Sequence, residues 1–385
     1  MAGPLDGVRV VELAGIGPGP FTAMMLADMG ADVVRIDRAT KVRPEEHGEP
    51  HPDLLNRGRR SLAVDLKHPD GRDLVLRLAG DADVLIEGWR PGVAERLGIG
   101  PDDCRAVNPR LVYARMTGWG QDGPLAPRAG HDIDYIALTG ALHAIGRAGE
   151  RPVPPLNLVG DFGGGGMLCA FGIVCALFEA SASGEGQVVD AAMVDGVAVL
   201  TTAVHAYRAM GAWSDERGVN PLDSGAPFYD VYACADGCYL AVGALEPQFY
   251  DELVRRTGFL ADVPEAERPE PYDPATWPEQ KQAWAELFAT RTRDAWVDLL
   301  GDTDTCVAPV LSWDEAPRHP HLAARGTYVE HAGRTQPAPA PRFSRTPGAI
   351  ARPAPHPGEH TEALLREMGL GADDVSALRE SGAVA

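Results

Sequence analysis

Between Val8 and Arg115, short β-branched runs alternate with helical stretches, and this alternation restricts the fold more than any other feature of the chain. Val8-Arg-Val-Val-Glu-Leu13, Ala31-Asp-Val-Val-Arg-Ile-Asp37, Ala82-Asp-Val-Leu-Ile-Glu87 and Arg110-Leu-Val-Tyr-Ala-Arg115 read as strands. Phe21 to Met29, Gly71 to Ala79 and a short Pro91 to Leu97 read as helices. Strands separated by helices make βαβ units, whose outcome is a mostly parallel, Rossmann-like sheet with helices on its faces. At 385 residues the chain exceeds what one hydrophobic core fills, so a second domain is expected.

That second domain announces itself near residue 225. Phe228 to Ala233 and Tyr239 to Gly243 flank Asp236-Gly237, and Asp-Gly supplies the positive φ angles of a tight hairpin. Helices are expected over Gln280 to Thr290 and Arg293 to Leu300, which makes 225–325 a small α+β domain. The large domain then occupies 1–200, with a linker at 201–224. Seven prolines between 337 and 357 predict an extended return linker over 326–357. A helix at Glu359 to Met368 would rejoin the large domain within 358–385. Aromatic residues are only 6% of the chain, which argues against a large aromatic core.

Composition excludes several functions. With 35 Lys and Arg against 55 Asp and Glu, the net charge is −20, so nucleic acid and anionic membrane would be repelled. Any anionic ligand needs a local cluster of cations. The six cysteines show no CxxC spacing, so neither a zinc site nor a disulfide framework is expected. Met1 to Gly7 lacks a basic stretch and an apolar stretch, so no secretory signal is expected and a cytoplasmic setting is. The apolar run from Phe162 to Phe178 falls short of the ~20 residues of a membrane span and is expected as a buried helix.

Gly15-Ile-Gly-Pro-Gly-Pro20 with Asp37 imitates a dinucleotide fingerprint. The spacing is G-x-G-x-G rather than G-x-G-x-x-G, and prolines at 18 and 20 remove N–H groups that a pyrophosphate would use. A tight turn with proline at a helix start is the better reading. Arg38 beside it either binds a phosphate or caps the strand.

Three segments carry residues suited to chemistry. Ala129-Gly-His-Asp-Ile-Asp-Tyr135 places His131 on a glycine-preceded bend, with Asp132 next to it as a partner for the ring. Asn157-Leu-Val-Gly-Asp-Phe-Gly-Gly-Gly-Gly166 sets Asp161 before a glycine run that an ordinary N-cap does not need. Gly243-Ala-Leu-Glu-Pro-Gln-Phe-Tyr250 presents Glu246 just past the hairpin. N–H groups near Gly163 are candidates to stabilise a developing oxyanion.

These segments resemble the family III CoA-transferases, most closely their α-methylacyl-CoA racemase branch. The likeness also takes in Val10 to Pro20, Ala31 to Arg38, Tyr113-Ala-Arg-Met-Thr-Gly-Trp-Gly-Gln121, Gly186-Gln-Val-Val-Asp-Ala-Ala-Met-Val-Asp195 and Gly358-Glu-His-Thr361. It departs from the family at Asp134, where Asn is expected, and at 41–56, which is longer and more charged.

The resemblance implies an interlocked homodimer, its active site between the large domain of one subunit and the small domain of the other. It implies that His131 and Asp161 are an acid/base pair, assisted by Glu246. It implies that CoA is held by Arg38, by Val64, Asp65, Leu66 and Lys67, by Glu87, Gly88, Trp89 and Arg90, by Arg96, and by Gly130, Asp134 and Tyr135. Met193 and Met210 are possible linings for the acyl chain. No metal or redox cofactor is implied, since CoA is part of the substrate.

Racemising a carbon beside a thioester means removing its proton, forming a planar enolate and returning a proton to the other face, for which two acid/base groups suffice. The alternative reading is a CoA-transferase in which Asp161 attacks as a nucleophile and carries an acyl anhydride.

Overall fold

The structure, a computed structural model, describes residues 3–43 and 49–385. The chain divides into two compact units. The first holds 1–139, 156–200 and 323–385, and the second holds 140–155 and 201–322. Residues 140–155 and 201–224 thus belong to the second unit, where the sequence had suggested large domain and linker. Part of the 41–56 segment lies outside the described residues.

The first unit runs β1 (Arg9–Leu13), α1 (Pro18–Asp28), β2 (Asp32–Arg38), β3 (Arg59–Val64), α2 (Pro69–Asp81), β4 (Val84–Glu87), α3 (Val93–Arg96), α4 (Pro101–Val107), β5 (Val112–Thr117) and α5 (Asp132–Leu138). After α6 (Ala141–Ala144) in the second unit, it resumes with a π-helical segment, Leu158–Met167, then α7 (Leu168–Ser183), β6 (Val188–Ala192) and α8 (Met193–Leu200). All six strands pair in parallel in the order β3-β2-β1-β4-β5-β6. The strand order reverses between β1 and β4, and in such sheets ligands bind beyond the carboxyl ends of the strands at that point. One apolar cluster, with Leu62, Leu85 and Leu111, covers one face, and another, with Val33, Ile86 and Ile173, covers the other.

Two strands of this sheet went unread in the sequence. β3 opens on Arg59-Arg60, a pair that does not look like sheet interior. Arg59 is nevertheless fully buried, with its guanidinium against Glu12 at 2.7 Å. β6 is short and half-exposed, so its pattern is weak.

The expected buried helix is longer and less buried than its sequence suggested. Leu158 to Ser183 is one continuous helix of 26 residues, long and apolar enough by length and composition to cross a membrane. The glycine run does not interrupt it but widens into π-helix. Cys169, Ile173, Ala176 and Ala180 are buried, whereas Phe171 and Phe178 are 66% and 80% exposed.

The second unit contains α9 (Thr202–Ala209), β7 (Tyr229–Ala233), β8 (Tyr239–Gly243), α10 (Pro247–Thr257), α11 (Trp277–Phe288), α12 (Arg293–Leu300) and β9 (Val307–Pro309). Its strands form an antiparallel sheet, β7-β8-β9. Its core is aromatic after all: Phe228, Tyr232, Tyr250, Phe259, Trp277, Trp284, Phe288 and Trp296 are all buried. Phe259 stacks on Trp284 at 3.7 Å. A low overall aromatic content thus conceals a local concentration, which suits a small unit that must bury much area with few residues.

The chain closes with α13 (Pro320–Arg325), the hairpin β10 (Tyr328–His331) and β11 (Arg334–Pro337), then α14 (Thr361–Glu367) and α15 (Ala372–Glu380). The proline-rich stretch is extended, as expected, but it is no free linker. Ala349 N–H donates to Asp28 O and Gly58 N–H donates to Arg352 O, so it is strapped to the first unit. Thr361 Oγ1 accepts the Ala63 N–H at 3.1 Å, which seats α14 on β3.

Candidate active site

His131 is the N-cap of α5, with φ −133° and ψ 170°. Its N–H donates to the Asp134 carboxylate at 3.0 Å, while the Asp134 N–H donates to the His131 carbonyl at 2.8 Å. This reciprocal arrangement fixes the backbone that presents the imidazole, and the side chain is exposed. Asp134, the residue that departs from the family pattern, is thereby part of the helix cap.

Asp132 does something different from what its place beside His131 suggested. Its buried carboxylate accepts two backbone N–H groups through one oxygen, from Gly160 at 2.6 Å and Asp161 at 2.9 Å. These belong to the first turn of the π-helical segment, where N–H groups lack intrahelical partners. Asp132 therefore ties the start of that segment to the start of α5 and brings Asp161 to the neighbourhood of His131. A Cβ on Gly160 would lie 2.4 Å from the same oxygen, so only glycine permits the grip. The other Asp132 oxygen is buried with no hydrogen-bond partner.

The Asp161 side chain is half-buried. It accepts the Asn157 Nδ2–H at 3.1 Å and lies over the start of α1, where a Cβ on Gly17 would come within 3.2 Å of it. Gly17 has φ +66°, a second reason for glycine there. Burial holds the Asp161 carboxyl above its ordinary range and the charge of Asp132 pushes the same way, while the Asn157 hydrogen bond and His131 act against them. Tyr135 forms the wall behind, edge-on to Trp119 at 4.7 Å, over Gly118 and Gly130. Its phenol is pushed up to about 12 by burial and by the nearby Asp161, Asp134 and Asp132.

The glycine run has a packing explanation. A Cβ on Gly164 would sit 2.7 Å from Val197 N, one on Gly165 3.1 Å from Pro18 Cβ, and one on Gly166 2.6 Å from Phe21. The bulk lying against these glycines is α1 and α8. Gly163 is the sixth residue of the π-helical segment, so its N–H falls within the ladder rather than at the open end. Met193 is buried in the core, whereas Met210 in the second unit is 76% exposed.

The residues expected to hold CoA gather at the carboxyl edge of the sheet, but they divide into two sets. Arg38 ends β2, Lys67 follows β3, Arg90 follows β4 and Arg96 ends α3. All four are exposed, and none forms an ion pair among the described residues. Asp65 is exposed and accepts the Lys67 N–H at 3.0 Å, and Gly88 is exposed. Glu87, by contrast, is buried, pairs with Arg115 at 2.9 Å and accepts the Trp89 N–H at 2.7 Å. It organises the loop that follows β4. Val64 is buried in a bridge to Val384, Leu66 and Trp89 pack against the core, and the Tyr135 ring faces inward.

The dinucleotide imitation is also resolved. Asp37 accepts from Arg35 Nε at 3.2 Å and Ser61 Oγ at 2.8 Å, so it is committed to the sheet. Glu246 is the exposed N-cap residue of α10 in the second unit. Two residues that shape the site, Asn157 and Gly17, had been quoted in the sequence without a role. The i, i+4 spacing of Asn157 and Asp161 on one helical face was the signal for the first.

Comparison with known proteins gives the family. The family model described as CoA-transferase family III matches residues 5–361. The α-methylacyl-CoA racemase of Mus musculus is 47% identical over 373 residues, covering 96% of this chain and 95% of that protein. The Homo sapiens α-methylacyl-CoA racemase is 44% identical, with the same coverage of 96% and 95%. The crystal structure of a CAIB/BAIF family protein from Brucella suis matches with a TM-score of 0.82 at 26% identity, covering 96% of this chain and all of the other. Sequence and fold lead to one assignment: the chain belongs to CoA-transferase family III.

Proposed function

We propose that this chain is an α-methylacyl-CoA racemase that interconverts the 2R and 2S forms of 2-methylacyl-CoA thioesters by 1,1-proton transfer. The observation that carries this reading is the tie between α5 and the π-helical segment. Through Asp132 it brings a half-buried carboxylate, Asp161, to the neighbourhood of the exposed imidazole of His131. The 44–47% identity to racemases along nearly the whole chain supports it.

In this mechanism one of the pair, unprotonated, removes the α-proton while the other, protonated, delivers a proton to the opposite face of the enolate. The reverse direction exchanges the roles. A carboxyl raised above its ordinary range is better matched to an imidazole partner than a solvated one, so proton transfer is feasible both ways. The cations Arg38, Lys67, Arg90 and Arg96, without an ion pair among the described residues, supply the local positive charge that CoA phosphates need in a chain of net charge −20. Glu246 assists the pair, the role that the family resemblance implies for it. The assembly is a homodimer, a reading supported by the exposed apolar side chains of Phe171 and Phe178 on α7.

The test is α-proton exchange. A single epimer of a 2-methylacyl-CoA is incubated with the protein in D₂O, and the α-position is followed by NMR and chiral analysis. Deuterium uptake with epimerisation, without an added acceptor acid, is the expected result. Transfer of CoA to an added carboxylate without exchange would replace this reading with transferase chemistry at Asp161.

A further inference from the structure

The hairpin of the second unit brings two cysteines face to face. The strand register pairs Tyr232 with Leu240 and Ala233 with Tyr239, so the next opposed residues are Cys234 and Cys238. The Cys234 N–H donates to the Cys238 carbonyl at 2.8 Å, and the Gly237 N–H donates to the Cys234 carbonyl at 3.0 Å. Gly237, at φ +77°, is the bulge residue that completes the turn. Tyr232 and Leu240 are both buried, and side chains alternate along a strand, so Cys234 and Cys238 share that same inner face. Residues opposed across an antiparallel pair have Cα atoms about 4.5–5.5 Å apart, inside the roughly 4.4–6.8 Å that a disulfide spans.

We propose that Cys234 and Cys238 are a peroxide-oxidisable dithiol that closes a reversible disulfide across the hairpin. Cys238, half-buried next to the turn, is the thiol that a small oxidant reaches, whereas Cys234 is 6% exposed. The Cys238 thiolate attacks one oxygen of hydrogen peroxide and the O–O bond breaks. The departing hydroxide takes up a proton to become water, and Cys238 is left as a sulfenic acid. The Cys234 sulfur then attacks the sulfenic sulfur. The hydroxyl leaves with the Cys234 proton as a second water, and the S–S bond forms. Two thiols lose two electrons and two hydrogens, and one peroxide becomes two waters.

The division of labour suits the surroundings. Burial and the nearby Asp236 and Cys238 push the Cys234 thiol up to about 11, with Arg293 opposing them. Cys234 is therefore a poor first nucleophile, but as the closing residue it is held beside the sulfur it must attack. The exposed Cys175 and Cys306 lie in α7 and just before β9, with no strand register that opposes either to another cysteine. The inference is independent of the proposed racemase activity, and its test does not use substrate.

The test treats the full-length protein with hydrogen peroxide, blocks remaining thiols with iodoacetamide in denaturant, and digests with trypsin. Cleavage after Arg217 and Arg255 yields a peptide, 218–255, whose only cysteines are 234 and 238. The expected product is this peptide two hydrogens lighter and without either alkyl group. Dithiothreitol treatment before alkylation should restore both labels. In Cys238→Ser, Cys234 should stay alkylatable through the same exposure. The proposal fails if the wild-type peptide keeps both alkylatable thiols at a peroxide dose that oxidises Cys175 and Cys306. It fails equally if Cys238 advances to sulfinic acid while Cys234 remains free, or if Cys238→Ser does not protect Cys234.

Discussion

Two sets of buried or half-buried carboxylates belong to the same α/β unit, and they are wired in opposite ways. Glu12 and Asp37 sit among Arg35 and Arg59: Arg35 reaches Glu12 at 2.8 Å and Asp37 at 3.2 Å, and Arg59 reaches Glu12 at 2.7 Å. Asn56 accepts from the Arg35 guanidinium and Ser61 donates to Asp37. Asp132 and Asp161, by contrast, form no ion pair with Arg or Lys among the described residues. They accept backbone N–H groups and one side-chain amide. The first arrangement neutralises charge and locks β1, β2 and β3 into register. The second leaves Asp161 short of compensation, and its proton affinity rises in consequence. Buried carboxylates become chemistry where cations are withheld from them.

The largest expected effect is on the second set. Asp161→Asn should lower α-deuterium exchange by about 10²–10⁴-fold, the usual contribution of a positioned acid/base group. The same substitution should not weaken the fold at neutral pH. An acid raised in the folded state costs stability when ionised, so the variant should melt higher than the parent above the raised pKa. That advantage should fade as pH falls and vanish below the ordinary value of 3.8. A variant that melts lower at pH 8 would show that Asp161 is a structural anchor like Glu12.

Glu12→Gln should do the reverse. It strips the buried Arg59 of its counter-charge, and breaking such a pair costs roughly 3–5 kcal/mol, read by urea denaturation. A loss under 1 kcal/mol would mean that the network is more solvated than its burial indicates, and the contrast between the two sets would narrow.

The subtlest change is Asp132→Asn. The amide oxygen can still accept the Gly160 and Asp161 N–H groups, so the fold should survive. Removing the charge should lower the Asp161 pKa and displace the acid limb of the exchange-rate profile to lower pH. Asp132→Ala should instead reduce the maximal rate by releasing the tie. If Asn leaves the acid limb in place, Asp132 is an anchor only.

Much of this was legible in the sequence, where signals are local. The βαβ alternation, the Asp-Gly hairpin and the identities of His131 and Asp161 need only neighbouring residues. What could not be read depends on partners far along the chain. Asp132 looked like a ring partner because it is adjacent to His131, yet its partners lie 28 and 29 positions away. Glu87 looked available until Arg115 from the next strand covered it. The glycine run looked like a ligand cradle because its neighbours, α1 and α8, are not adjacent in sequence. Assignment of 140–155 to the second unit is likewise a fact of assembly, since nothing in its composition separates it from what precedes it.

The strap over α1 and the seat of α14 on β3 bear on how the chain is made. Ala63 is bonded to a residue 298 positions later. Translation delivers β3 early, but the helix that covers it emerges only after the whole second unit has left the ribosome. The edge of the sheet must wait through most of synthesis, exposed to wrong pairing, and closing so long a loop is slow. Chaperone demand should therefore fall on the nascent first unit, and expression at low temperature, which slows aggregation, should favour recovery of the native form.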